Sequence, residues 1–211
     1  MMNRRASLIL GLLAPLSTAA ALSQSTYDFS VYLDEKPVGR HRFVVAEEGQ
    51  SREVRSEAKF DVRFLGFSAY RYFHNAEETW QRDCLAELRA QTDDNGKLIA
   101  LKGSVAKDGF LLSKGSERIT LPACVMTYAY WNPRMLAQRR LLNPQTGEFS
   151  EVEIKALGRD AVTVRGSSVI AQHYRLSTSK FLIDLWYADD RQWIALDSQL
   201  ESGRILRYRI E

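Results

Sequence analysis

Two cysteines, Cys84 and Cys124, and three histidines, His41, His74 and His173, are the side chains of this 211-residue chain with the widest chemistry. The histidines are far apart and none sits in a His-x-x-x-His or Cys-x-x-Cys pattern that would place ligands on one face, so no metal site is expected. His74 stands out because it shares strand parity with Tyr70, Tyr72, Glu78 and Trp80, a face that mixes aromatic bulk with two titratable groups. A histidine hydrogen-bonded on a strand is the expected state, with a general base as the alternative. The carboxylate pairs Glu47-Glu48, Glu77-Glu78 and Asp189-Asp190 are adjacent, so on strands they point to opposite faces and in turns they are solvated. There is no Gly-x-Ser-x-Gly elbow, phosphate-binding glycine loop or dinucleotide fingerprint. No catalytic residue and no cofactor is predicted.

The elements that position these residues are strands. From Glu53 to Phe64 the chain alternates without a fault, with charges at Glu53, Arg55, Glu57, Lys59, Asp61 and Arg63 and the intervening positions apolar or small. Only period 2 puts all six charges on one face. The same alternation recurs over Tyr27 to Leu33 and Phe181 to Tyr187. Turn signals at Lys36-Pro37-Val38-Gly39, Asp94-Asn95-Gly96, Asp108-Gly109, Thr146-Gly147, Asp189-Asp190 and Ser202-Gly203 fall at hairpin spacing. The prediction is an all-β fold of roughly ten to twelve strands, a single antiparallel barrel or strongly curved half-barrel meander. Leu121 to Gly147 interrupts it with Pro122, Pro133 and Pro144. There, Asn132-Pro133 predicts a short helix over 133–142, N-capped by asparagine and stopped by Asn143-Pro144.

The N-terminus reads as an address. Arg4 and Arg5 precede an apolar run, Ala6 to Leu16, and small residues follow from Ser17 to Ser23. This is the pattern of a secretory signal peptide over residues 1–23, cleaved after Ala21 or Ser23, and the run is too short for a membrane anchor. The expectation is a periplasmic protein with one domain over residues 24–211. Loss of Arg4 and Arg5 leaves 27 basic against 26 acidic residues, so no nucleic-acid footprint is present. Export and an even cysteine count predict a Cys84–Cys124 disulfide, with two buried thiols as the alternative.

Four stretches carry a resemblance: Tyr27-Asp28-Phe29-Ser30-Val31-Tyr32-Leu33-Asp34 with Pro37-Val38-Gly39; Tyr130-Trp131-Asn132-Pro133; Asn143-Pro144-Gln145-Thr146-Gly147; and Leu185-Trp186-Tyr187. Together they resemble the DUF6134 type of exported bacterial proteins and, more distantly, the DUF3108 type. In outline such chains are similar to half-barrel lipoprotein carriers of the LolA and LolB kind, where a curved sheet and short helices enclose an apolar cavity. The resemblance implies an envelope context and transfers no catalytic residue.

The function expected from these features is binding or carrying an apolar or lipid-like ligand, by burial of acyl surface at about 25 cal/mol per Å². Two alternatives stand beside it: an enzyme or enzyme accessory acting on a lipid intermediate, and a structural envelope protein with a filled barrel. An envelope protein partner is a further possibility. The candidate ligand wall is Phe60 and Phe64 on one strand and Tyr72, His74 and Trp80 on the next. Tyr128, Tyr130, Trp131 and Met135 of the insert would cover it, as a fixed plug or a movable lid.

Overall fold

A computed structural model describes residues 22–64, 67–200 and 202–211. All but the last two residues expected to form the signal peptide, and the Phe64 side chain, lie outside the described residues.

The alternating runs fold as strands because each has one face that loses water and one that keeps it. In β3 (Ser51–Phe64), Val54 and Ala58 are buried while Glu53, Arg55, Glu57 and Lys59 are exposed. β1 (Ser23–Leu33), β2 (Lys36–Glu48), β3, β4 (Phe67–Gln81), β5 (Cys84–Asp94), β6 (Lys97–Ala106), β7 (Gly109–Lys114) and β8 (Glu117–Leu121) are laid down side by side. The chain then passes through the insert, which contains β9 (Arg140–Leu142) and β10 (Phe149–Glu151), paired only to each other. It continues as β11 (Glu153–Val164), β12 (Ser167–Ser177), β13 (Leu182–Tyr187), β14 (Trp193–Gln199) and β15 (Ile205–Ile210). β15 pairs with β1, Phe29 opposite Ile210, so the two ends of the domain meet inside one 13-stranded antiparallel sheet.

That sheet is all-β as expected and is not closed, because β8 and β11 form its two edges. The insert is the covalent link between those edges, so it crosses the open seam. It is held there on both sides: the Leu85 amide donates to the Val125 carbonyl at 2.9 Å and the Tyr187 hydroxyl donates to the Tyr130 carbonyl at 2.8 Å. The predicted disulfide is present between Cys84 and Cys124, across a sequence separation of 40.

Three details depart from the expectations. The helix over 133–142 is only a 3-10 turn, Pro133–Ala137. Asn132 does cap it, its side chain accepting from the Arg134 amide at 3.1 Å. The chain then extends because Leu142 is captured: its amide donates to Met126 and its carbonyl accepts from Tyr128, and Leu141 and Leu142 are both fully buried on opposite sides of an extended segment. Lys36-Pro37-Val38-Gly39 is not a turn but the start of β2. The reversal falls at Asp34-Glu35, where Asp34 takes φ 56° and its carboxylate accepts from the Ile205 amide. The strands number fifteen among the described residues, the surplus being short pieces such as the three-residue β9 and β10. Asn95-Gly96 is a hairpin turn as read, with φ 51° and 93°, positive at both positions as a type I′ turn needs.

Candidate functional site

Antiparallel register turns residues distant in sequence into straight rows across the inner face. One row runs His41, Ala58, His74, Thr92. The next runs Phe43, Ser56, Ala76, Ala90, and the third Val45, Val54, Glu78, Leu88. His41 and His74 are therefore two strand spacings apart, about 9.6 Å at the backbone, with only the methyl group of Ala58 between them. Small side chains at Ser56 and Ala76 leave the middle of this face low, and a cavity of about 520 Å³ lies over it. Trp193, Leu196 and Tyr208 form the facing wall, and Tyr128, Tyr130 and Trp131 of the insert form the roof. The cavity reaches the surface beside Leu200 and the ion pair of Lys180 with Glu148, 2.6 Å long.

Three titratable groups stand in this wall with little water around them. His41 is 5 % exposed, His74 1 % and Glu78 8 %. Burial drives the His41 imidazole well below its ordinary range, His74 adding a repulsive contribution, and both His41 nitrogens lack a hydrogen-bond partner. Burial pushes His74 down to about 4, opposed in part by a hydrogen bond with the Gln91 backbone. Nδ1 of His74 lies 2.9 Å from Thr92 Oγ1, whose proton goes to the Gln145 carbonyl at 3.1 Å. With that proton committed, the threonine oxygen can only accept, which assigns the proton to Nδ1 and leaves Nε2 with a lone pair. Glu78 is pushed up to about 7 by burial, against hydrogen bonds from Trp80 Nε1 and the Thr127 hydroxyl, 3.0 and 3.5 Å from Oε2. Neutral imidazoles and a carboxyl poised near neutrality make the wall polar without making it strongly charged.

The structure gathers His74, Tyr128, Tyr130 and Trp131 around this cavity and places Phe60, Tyr72, Trp80 and Met135 outside its lining. Phe60 and Tyr72 stack on each other at 5.2 Å, one row beyond His41 and His74, and Phe60 packs edge-on to Tyr208. They extend the aromatic face but do not line the cavity. Trp80 is fully buried, its ring edge against Trp131 and its N–H spent on Glu78, so it supports the wall from behind. Met135 is fully buried in the core, leaving nothing for a ligand to touch. The insert is thus a packed layer tied to the sheet by a disulfide and backbone hydrogen bonds. Sequence reasoning missed His41 and the whole facing wall. The signal for His41 was the β2–β3 reversal at Gly49-Gln50, whose register alone puts His41 opposite Ala58.

A solved structure gives the same architecture. The chain is similar to a beta-barrel-like protein of a domain of unknown function, DUF1849, from Brucella abortus, with a TM-score of 0.63 at 7 % identity over 92 % of this chain and 97 % of that one. That likeness establishes the fold alone. No curated protein matches the sequence. The family model for the domain of unknown function DUF6134 matches residues 29–211, from the first buried residue of β1 to the end of the chain, and the chain belongs to that family.

Proposed function

We propose that the protein binds an apolar or lipid-like ligand in the cavity between β2–β4, β13–β15 and the insert, as a binding or carrier protein of the periplasm. The observation that carries this reading is the cavity itself. Its volume of about 520 Å³ falls inside the roughly 300–1,000 Å³ of small-molecule sites, and its aromatic wall with a few convergent polar groups is the lining such sites favour. The cavity counts against a purely structural role with a filled barrel. The disulfide is consistent with an exported chain, and an envelope partner would receive or deliver the ligand. A second reading, an enzyme or accessory acting on a lipid intermediate, draws on one observation: His41, His74 and Glu78 are desolvated in the same wall, where proton transfer to a bound molecule is feasible.

The test is extraction of lipid from protein purified out of the periplasm, followed by mass spectrometry. A co-purifying lipid-like molecule is expected, and it should be lost in Ser56→Phe, which puts a ring into the low part of the cavity. Extracts free of lipid, together with Trp fluorescence that no acyl compound alters, would remove the reading.

A further inference from the structure

The cavity has a direction and a length as well as a volume. Resting on the binding reading above, we infer that its occupant is a single-chain amphiphile, whose one long hydrocarbon tail enters first and whose polar head stays at the mouth.

Exposure along the lining gives the direction. Glu148, Lys180, Gln199 and Leu200 are the only exposed residues of the lining among the described residues. Leu182 pairs with Gln199, which brings Lys180 and Leu200 to the same end of the sheet, and Lys180 holds Glu148 there. Along β14 the lining then passes from exposed Gln199 through half-buried Ser198 to buried Leu196 and Trp193. Trp193 closes that end, its ring against Phe43 at 5.5 Å and Tyr130 at 5.0 Å. A tail that enters first leaves water for this aromatic end, and a polar head left at the mouth keeps its hydration. His41 and His74, held neutral by burial, put no charge along the tail's path.

Volume and length agree on how much chain fits. At roughly 30 Å³ per methylene, about the share of liquid volume that a water molecule takes, a cavity of about 520 Å³ holds roughly seventeen carbons. The lining from Trp193 to Leu200 spans roughly 23 Å at about 3.3 Å per residue. An extended alkyl chain with bonds of about 1.5 Å advances about 1.3 Å per carbon, so this length also takes roughly seventeen. A lipid with two chains of that length needs about twice the volume, and its second chain would stay in water.

The experiment titrates the full chain with 1-acyl lysophosphatidylcholines whose saturated tails run from ten to twenty carbons, kept below their micelle-forming concentrations and followed by Trp fluorescence. The pH is 6, where Glu78, with a pKa of about 7, is mostly protonated. Affinity should rise roughly two- to fourfold with each added methylene and level off at about seventeen carbons. Didodecanoyl phosphatidylcholine should bind no tighter than the dodecanoyl lysolipid. Ala76→Leu adds three carbons to the low middle of the cavity, so it should bring the levelling-off point about three carbons shorter and leave the ten-carbon probe within about twofold of native affinity. Should that variant fail to fold, the chain-length series and the two-chain comparison on native protein still decide. Affinity that climbs steadily to twenty carbons, tighter binding of the two-chain lipid, or a levelling-off point that a folded Ala76→Leu leaves in place would overturn the inference and leave the cavity reading intact. If no member of the series binds, the cavity reading fails and takes this inference with it.

Discussion

The molecule buries histidine in two ways. On the inner face, His41 and His74 are 5 % and 1 % exposed, beside an empty volume, with three of their four ring nitrogens lacking a side-chain partner. On the outer face of β12–β15, His173 is 8 % exposed, yet its Nε2 lies 3.0 Å from Asp184, which also takes two hydrogen bonds from Arg175. Its ring stacks on Trp186 at 4.5 Å, with Arg209 beyond it over the same indole. Nearby, Arg209 and Arg207 share Asp197, and β11 lies against β14 and β15 beside the patch. The degree of burial is the same, so burial is not what marks the site. The outer histidine has a charged partner within the fold, whereas His74 has only Thr92 and the Gln91 backbone and His41 has no partner at all.

The largest test of that contrast acts on the insert, which roofs the inner region and does not touch the outer one. Cys124→Ser should lower stability by about 4 kcal/mol, the chain-entropy scale for a closed loop of 40 residues. In a domain of this size that is a fall in Tm of about 10 °C. Hydrogen exchange gives the location: protection at Leu85 and Tyr128, whose amides bond to or within the insert, should collapse while β12 and β13 keep theirs. Equal loss of protection in both places would show that the two regions form one cooperative unit.

A smaller effect comes from pH. Glu78 has a folded-state pKa near 7, above the ordinary 4.5. Its contribution to stability is therefore fully present below pH 4.5 and is lost as pH rises to 7, by about 3 kcal/mol for a shift of this size. The histidines run the other way. His74, lowered to about 4, leaves the fold fully stable above pH 6.5 and weakens it as pH falls toward 4, and His41 acts in the same sense. The neighbours of Glu78 are Trp80, Thr127, Val54 and Leu88, with His74 and His41 on the same face. Denaturation of Glu78→Gln and native protein across pH 4.5 to 8 should show the variant gaining about 3 kcal/mol relative to native as pH rises. A difference that stays flat with pH would mean that Glu78 is solvated and the inner wall is not dry.

Much of this arrangement was legible in the strand pattern, and the rest depended on tertiary cover. Alternation over Glu53 to Phe64 placed Phe60 on the inner face, and parity grouped His74 with Glu78 and Trp80 correctly. Parity says which face a side chain takes but not which row lies beneath the insert. Phe60 and Tyr72 share the face of Ala58 and His74, one row away, where they stack on each other as opposite residues and Tyr208 packs edge-on to Phe60. Trp186 was expected to face away from its neighbour Leu185, and it does. Its burial, however, comes from the β11–β12 hairpin lying across the outer face, an event between strands remote in the local pattern. The helix expected to reach Leu142 failed for a similar reason: its N-cap was read rightly, but the backbone of Met126 and Tyr128 offered Leu142 extended partners that no local signal announces.

The finest comparison sets one histidine's loss against the loss of the other's partner. Asp184→Ala removes the acceptor shared by His173 and Arg175. It leaves a nearly buried imidazole unpaired on one nitrogen and a part-exposed guanidinium free to turn to water, so the cost should be about 1–2 kcal/mol. His41→Phe removes no hydrogen bond, because none is made, and it replaces two unsatisfied polar atoms with carbon next to Phe43, which already stacks on the ring at 4.1 Å. Replacing an unpaired polar group by an apolar one of similar shape is neutral or stabilising. The variant should therefore lie within about 1 kcal/mol of native protein or above it. Urea denaturation of both variants at pH 7.5, where His41 is neutral by its lowered pKa, makes the comparison directly. If His41→Phe costs as much as Asp184→Ala, then His41 has a partner within the fold, and the distinction between an unpartnered inner histidine and a committed outer one collapses.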